Sequence, residues 1–344
     1  MTAVVSTPAS SAPPAHLPLL ARITTNRLFE PVVVVVVLLV GLFAIPSFFD
    51  SYWIANFTQL AVFSIVCASA GLLYGRVGLV SLGQVASYGI GCWVTMRLAF
   101  ATTLPYPVLL VIGGLVAAVI GVMIGLPALR VSGLYLALVT LMLAAGMEIV
   151  LERTGFPNGG TGFKGVVTTI SDIKATRRPS FAGTDVAYYR FIVVGAFVMF
   201  MLASYVLSRK PGRAWASIRQ SEAAALAAGI DVTRYKLWAF ALAAFMAGVA
   251  GGLYAGSVPK GMSIDAFNRQ SAIFLIAVVI MGGIYSLWGG LLGAFFATCL
   301  LKYLTQNVFG HQFWTRFALS LFGFGLLANL IQNTRIAERK GVEA

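Results

Sequence analysis

The sequence predicts an all-α integral membrane protein, a polytopic bundle of about ten transmembrane helices with both termini in the cytoplasm. Of its 344 residues, 59% are hydrophobic and only 10% are charged, whereas a soluble domain carries roughly a quarter charged residues. Apolar runs long enough to cross a bilayer recur along the whole chain. The Lys and Arg residues behind the net charge of +13 lie mostly beside these runs, where they set topology and meet anionic headgroups.

The spans follow from length, because about 20 apolar residues cross the hydrocarbon core. Together they form a transmembrane domain of residues 29–335. They are predicted at 29–48, 56–75, 79–98, 107–128, 132–151, 190–208, 236–257, 270–285, 287–305 and 314–331. The glycines of "GGIYSLWGG" (282–290) favour two short helices, rather than one long helix, after Gln270.

Orientation follows from the placement of Lys and Arg. With the segment 209–235 in the cytoplasm, thirteen of these residues lie inside, and five lie outside when the long segment 152–190 is left out. This orientation makes 152–189 a periplasmic loop. It also leaves a cytoplasmic tail at each end, 1–28 and 336–344, of which the first, rich in Pro and Ser, is expected to be disordered.

Several function classes find no support in the residues. The basic residues form no aromatic-rich face for bases, so nucleic-acid binding is not expected. Cys67, Cys92 and Cys299 lie far apart within apolar runs, and no His, Cys, Asp or Glu cluster has metal-ligand spacing. The glycine-rich "TGFPNGGTGFKGV" (154–166) lacks the Lys-Ser/Thr of a phosphate-binding loop. We therefore expect no cofactor bound by this chain and no enzymatic activity.

The segment "RAWASIRQSEAAALAAGIDVTRYK" (213–236) is a charged, helix-forming stretch between two apolar runs. Pro211 and Gly212 are expected to end the preceding helix, and 213–220 is expected to form a short one. The residues that follow predict a second short helix and then the next span. The cap signals are Ser221 as N-cap, Glu222 in the first turn, Gly229 as the stop and Asp231 as the cap of the next span. Two interpretations stay open, an amphipathic connector resting on headgroups and a helix that fits a partner's groove.

The stretch "GLVSLGQVASYGIG" (78–91) brings polar residues into an apolar span. Its glycines, which are expected to interrupt the helix, are Gly78, Gly83, Gly89 and Gly91. Irregular backbone at membrane depth is tolerated where it lines a cavity, which predicts that Ser81, Gly83 and Gln84 belong to a translocation path. The alternative is packing between helices, with Gln84 bonded to a neighbouring carbonyl.

The segment 212–257, with "SEAAALAAGID" at its centre, resembles the LivM-type permease family of branched-chain amino acid ABC importers. Other stretches agree with the resemblance, which covers residues 55–335. They are the Ser-Leu-Gly-Gln segment at 78–94, "LRVSGLYLALVTLMLAAGMEIV" (129–150), the glycine-rich loop at 154–166 and "VVIMGGIYSLWGGLLGAFF" (278–296). One departure is Gly290, where the family often has proline.

The resemblance implies a permease of the bacterial inner membrane that acts with partner subunits. These are a second permease of the LivH type, two ATP-binding subunits that use the ATP, and a periplasmic solute-binding protein. The helix at 221–230 would be the coupling helix that fits a groove in an ATP-binding subunit. In it Glu222 would offer a charge, Gly229 would set the turn, and the residues permitting close approach would be Ala223, Ala224 and Ala227.

The transported solute stays open. The family handles branched-chain amino acids, and similar permeases move urea, short amides and aromatic or other carboxylates. A self-sufficient channel or an ion-coupled carrier is the competing class, and it predicts buried charges or a selectivity filter that the sequence does not display.

Overall fold

The structure, a computed structural model, describes residues 40–129, 134–153, 178–257, 267–284 and 287–300. The chain divides into two compact units, one up to Phe48 and one from Phe49. In the first unit the described residues form a π-helical turn, Val40–Ala44, and an α-helical turn, Ile45–Phe48. Several predictions lie outside the described residues: both tails, the tenth span, most of the first span and most of the loop 152–189.

The described residues of the second unit form α-helices, short π and 3-10 turns, and no strand. The helices are α1 Ser51–Gly71, α2 Gln84–Ala101, α3 Tyr106–Ala128, α4 Leu134–Arg153, α5 Asp185–Ser208, α6 Lys210–Gln220, α7 Glu222–Ala227, α8 Val232–Ser257, α9 Arg269–Gly282 and α10 Leu287–Phe295. The π turns Leu72–Val77 and Phe296–Leu300 continue α1 and α10, and a 3-10 turn, Ser180–Ala182, precedes α5.

Five of the described helices are long and apolar enough to cross a membrane. They are α1 with its π turn, α3, α4, α5 and α8. The helices α9 and α10 are apolar but shorter, so the stretch after Gln270 does divide in two. The multi-span, all-α character is thereby confirmed, while the total of ten spans and the side on which the termini lie stay predictions.

The third predicted span starts later than expected. The chain leaves the helical conformation at Gly78, whose φ is 84°, and α2 begins only at Gln84. Residues 78–83, which we call the α1–α2 connection, are therefore not part of the span. The expectation that Gly89 and Gly91 interrupt the helix is wrong, because both lie inside α2.

The turn between α5 and α6 also differs from the prediction. The helix α5 ends at Ser208, and Pro211 lies in the first turn of α6 instead of ending the helix before it. Proline suits this position because the first backbone N–H groups of a helix have no partner within the helix. The expected stop at Pro211 and Gly212 is therefore wrong, because α5 ends before both residues and both lie in α6.

The helix α8 is the centre of the bundle and packs against α1, α2, α3 and α5. Glycines bring the backbones together at its middle, as expected where small residues let helices approach closely in lipid. A Cβ atom on Gly251 would meet the backbone of Tyr88 and Cys92 on α2, and a Cβ atom on Gly91 would meet the backbone of Gly248.

The last two turns of α8 are held by side chains from α3, from α5 and from the segment before α5. The hydroxyls of Tyr106 and Tyr188 donate to the carbonyls of Gly252 and Leu253, at 2.7 Å each. Arg178, which precedes α5, donates from Nε to the Gly256 carbonyl at 3.0 Å. The last four carbonyls of a helix lack partners within it, so Arg178 satisfies one of these, while the two tyrosines tie the preceding turn to α3 and α5.

Candidate functional site

The helix α7 begins at the residue that its cap signal predicts. Ser221 is extended, with φ −162° and ψ 118°, and its hydroxyl accepts a hydrogen bond from the Ala224 N–H at 3.3 Å. Glu222 then lies in the first turn. Asp231 caps α8 in the same way, because its carboxylate accepts from the Arg234 N–H at 3.1 Å. Both predicted caps are confirmed.

The helix α7 also ends as predicted, at Gly229. This glycine has a φ of 76°, and its N–H donates to the Leu226 carbonyl at 2.9 Å. The N–H of Ile230 reaches back to the Ala225 carbonyl at 3.0 Å. This pair of bonds is the Schellman motif, which needs a left-handed residue at its turn. A short helix with a fixed start and a fixed end results.

Most of α7 is on the surface of the chain. Ala225 is its one buried residue, and Leu226 has 61% of its surface exposed. The exposed members of the predicted docking set are Ser221, Glu222, Ala223, Ala224, Ala227 and Gly229. Small side chains on an exposed helix allow another backbone to come close, which fits a helix that enters a groove. Their docking role remains a prediction.

Glu222 joins α7 to the first turns of α8. Its carboxylate lies 2.6 Å from the ammonium of Lys236. The side chain of Lys236 is only 10% exposed, while that of Glu222 is 56% exposed. A mostly buried ammonium is stable only with a partner, so Glu222 neutralises Lys236 and ties the orientation of α7 to α8.

The helix α6 is anchored to the same part of α8. Trp215 is fully buried, and its indole N–H donates to the Tyr235 carbonyl at 2.8 Å. Ala214 and Ile218 share its buried face, while Lys210 and Arg213 are exposed. The helices α6 and α7 are therefore both bonded to the start of α8, α6 through Trp215 and α7 through Glu222.

The α1–α2 connection and the first residue of α2 carry the residues predicted to line a path. Ser81 and Gln84 are both buried, and the Gly83 N–H donates to the Ser81 hydroxyl at 3.4 Å. The Leu82 N–H donates to the Thr140 hydroxyl on α4 at 3.0 Å. The connection is thus an irregular backbone segment in which two N–H groups, those of Leu82 and Gly83, bond to side-chain hydroxyls.

Gln84 has a partner on α1. The Ser69 hydroxyl lies 3.3 Å from Gln84 Oε1 and 2.7 Å from the Val66 carbonyl. This contact is at the amide oxygen of Gln84, so the packing alternative, in which Gln84 bonds to a neighbouring carbonyl, also stays a prediction. The assignment of Ser81, Gly83 and Gln84 to a translocation path stays a prediction.

The contacts that join the site to the bundle were not evident in the sequence. Lys236 entered the sequence argument only as a charge that sets topology, and its partner lies 14 residues away. Trp215 had a usable signal, since an aromatic residue in a charged helix with Ala214 and Ile218 marks a buried face.

Residues 53–330 match the family model described as "Branched-chain amino acid transport system / permease component". The chain is 31% identical over 258 residues to the high-affinity branched-chain amino acid transport system permease protein LivM of Salmonella typhimurium, and 30% identical over 256 residues to that of Escherichia coli. Each match covers 69% of this chain and 60% of the relative. The chain therefore spans about 60% of the length of these LivM relatives.

A more distant relative is the ribose import permease protein RbsC of Haemophilus influenzae. It is 27% identical over 252 residues, a match that covers 71% of this chain and 72% of the relative. No solved structure matches the chain. The helix α7 and the α1–α2 connection both lie within the residues that the family model covers.

Proposed function

Since the chain belongs to the permease family of branched-chain amino acid transport systems, we propose that it is the transmembrane permease subunit of an ABC importer. Its solutes are branched-chain amino acids or related small polar molecules. The observation that carries the proposal is the family match together with α7, an exposed six-residue helix tied to the central helix of the bundle.

The proposed complex contains partners of three kinds. A second permease of the LivH type completes the membrane part, two ATP-binding subunits dock on the α7 side, and a periplasmic solute-binding protein delivers solute. The complex resides in the bacterial inner membrane. ATP is hydrolysed by the partner subunits, and this chain itself is not an enzyme.

In this proposal α7 is the coupling helix. Closure of the ATP-binding subunits moves α7 as a unit, because its caps fix both of its ends. The ion pair between Glu222 and Lys236 passes this movement to α8, which contacts α1, α2, α3 and α5. A displacement of packed helices then changes access to the solute path, as in other rigid-body transitions.

The proposed solutes are a class of molecules, branched-chain amino acids or related small polar compounds. The two LivM relatives are named for branched-chain amino acids and RbsC for ribose. Urea, short amides and aromatic or other carboxylates are the alternatives within the family. The ligand that the cognate binding protein holds decides among them, because that protein selects what is delivered.

Reconstitution tests the proposed function. The permease, its LivH-type partner and the two ATP-binding subunits are placed in vesicles with the binding protein and radiolabelled leucine. We expect uptake only when ATP is present on the side of the ATP-binding subunits. Uptake by vesicles that contain this chain without ATP-hydrolysing subunits would contradict the proposal and favour a channel or carrier.

Gln84→Leu tests the proposed path. We expect solute uptake by the reconstituted complex to fall about tenfold, as the loss of one hydrogen bond to a solute implies. The fold should be little affected, because Ser69 keeps the Val66 carbonyl as its partner. The control is Ser69→Ala, which removes the contact between the helices and leaves Gln84 in place. Equal effects of the two variants on uptake would support packing instead of a path.

A further inference from the structure

The end of α1 is a π-helical turn that leads into the α1–α2 connection. Residues 72–77 are π-helical, and the Leu79 N–H reaches back to the Leu73 carbonyl at 3.0 Å. Single π-helical turns inside longer helices are frequent at functional sites. Gly75 lies within this turn, where the carbonyls of a helix run out of backbone partners.

Arg219, from the last turn of α6, supplies a partner for that carbonyl. Its Nη1 atom lies 2.5 Å from the Gly75 carbonyl oxygen, across 144 residues of sequence. Its stem also lies beside Gly78, where an added Cβ atom would be 3.4 Å from Arg219 Cγ. The side chain of Arg219 therefore lies against the middle of the π turn and against Gly78, the first residue of the connection.

Arg219 is also close to α7 along the chain. Only Gln220 separates it from Ser221, the N-cap of α7. The helix that carries it is fixed to α8 by the indole of Trp215. A displacement of α7 therefore reaches Arg219 through a single intervening residue. The bond of Trp215 to α8 restrains the rest of α6.

The far end of the connection is held independently. Thr140 on α4 accepts from the Leu82 N–H at 3.0 Å, and its own hydroxyl is within 3.0 Å of the Leu136 and Ala137 carbonyls. Ser81 thus lies between two fixed points, Arg219 before it and Thr140 after it. Movement of the first point relative to the second has to change the backbone of the connection.

We propose that Arg219 is a positioning residue of the transport reaction, which transmits the displacement of α7 to the α1–α2 connection by holding the Gly75 carbonyl. The proposal rests on the proposed function of the chain. Through this contact the docked ATP-binding subunit acts on Ser81 and Gln84, in addition to its action on α8 through Glu222. The planar fork of arginine suits this role, since it reaches and orients on a carbonyl in a way that a lysine does not.

Arg219→Gln tests the proposal in two measurements, and Arg213→Gln is the matched control. Arg213 is on the same helix and exposed, so its replacement removes the same charge without touching Gly75. The first measurement is amide hydrogen exchange of residues 72–84 in the purified permease, which needs no transport. We expect about tenfold faster exchange in Arg219→Gln and no change in Arg213→Gln.

The second measurement is the number of solute molecules moved per ATP hydrolysed by the reconstituted complex. We expect ATP hydrolysis and subunit association to persist in Arg219→Gln while this ratio falls about tenfold. Arg219→Lys should recover part of the ratio, because it keeps the charge but loses the fork.

The proposal would be overturned by unchanged exchange at 72–84, by an unchanged ratio of solute to ATP, or by equal changes in Arg219→Gln and Arg213→Gln. Loss of subunit association in Arg219→Gln would also overturn it, because Arg219 would then be a docking residue. Failure of the proposed function is distinguishable from failure of this proposal. If the wild-type complex does not transport solute, the proposed function fails, while hydrogen exchange in the purified permease still tests the contact between Arg219 and Gly75.

Discussion

Glu222→Lys is expected to reduce association of the permease with its ATP-binding subunits at least about tenfold, a loss of roughly 1.4 kcal/mol. The replacement puts a second ammonium where a carboxylate now lies 2.6 Å from Lys236. Lys236 is mostly buried and cannot move away, so α7 has to turn off α8. Co-purification and binding of the ATP-binding subunits to the permease in detergent measure the effect, with thermal unfolding of the permease recorded alongside.

Asp185→Lys is the matched control for this charge reversal. Asp185 also lies in the first turn of a helix and pairs with a mostly buried cation, Arg178, at 2.7 Å. The exposed fractions of the side chains are similar in the two pairs. They are 64% for Asp185 and 17% for Arg178, and 56% for Glu222 and 10% for Lys236. The two variants should therefore lose similar stability, while only Glu222→Lys loses association.

A second variant tests the same helix from its other end. Gly229→Pro removes the N–H that bonds to Leu226 and cannot adopt a φ of 76°. Association should again fall, whereas Gly229→Asn, which tolerates a left-handed backbone, should retain it. Normal association of both Glu222→Lys and Gly229→Pro would show that α7 is not the docking helix.

Gly251→Ala is expected to destabilise the folded bundle by about 3 kcal/mol, the upper end of the usual cost of overpacking. The new methyl group would meet the backbone of Tyr88 and lie 2.7 Å from the Cys92 nitrogen. Backbone atoms inside two packed helices cannot give way as a flexible side chain can. Thermal unfolding in detergent and the yield of monodisperse protein measure the loss.

Gly146→Ala is the control for this substitution. Gly146 is exposed in the middle of α4, and an added Cβ atom would have nothing within 4 Å. We expect no loss of stability and a gain of up to about 1 kcal/mol, because alanine is favoured over glycine inside a helix. If Gly251→Ala unfolds at the same temperature as Gly146→Ala, the close contact between α2 and α8 is not required for stability.

The parts of the site that depend on neighbouring residues could be predicted from the sequence. Ser221, Gly229 and Asp231 act on backbone groups within five residues, so their chemistry alone indicated the ends of α7 and the start of α8. Hydropathy likewise indicated the apolar helices, because burial in lipid needs only a run of apolar side chains.

The parts that depend on distant contacts could not be predicted. The bond from Arg219 to Gly75 spans 144 residues, and nothing in either local sequence specifies the other. The α1–α2 connection was predicted only in part. The interruptions at Gly78 and Gly83 were expected, but the third span was started at residue 79. The residues of the connection are as apolar as those of a helix, so a hydropathy window continues through it, whereas the left-handed Gly78 ends the preceding helix.

The two ends of α8 are held by different sets of contacts. Its start is held by the ion pair of Lys236 and by the hydrogen bond from the Trp215 indole to the Tyr235 carbonyl, and its finish by hydrogen bonds from Tyr106, Tyr188 and Arg178. A straight rod of 26 residues is about 39 Å long. A rotation of such a helix by about 5° about its C-terminal end would displace its N-terminal end by roughly 3 Å, so the end that carries Lys236 is where a small tilt of α8 would be largest.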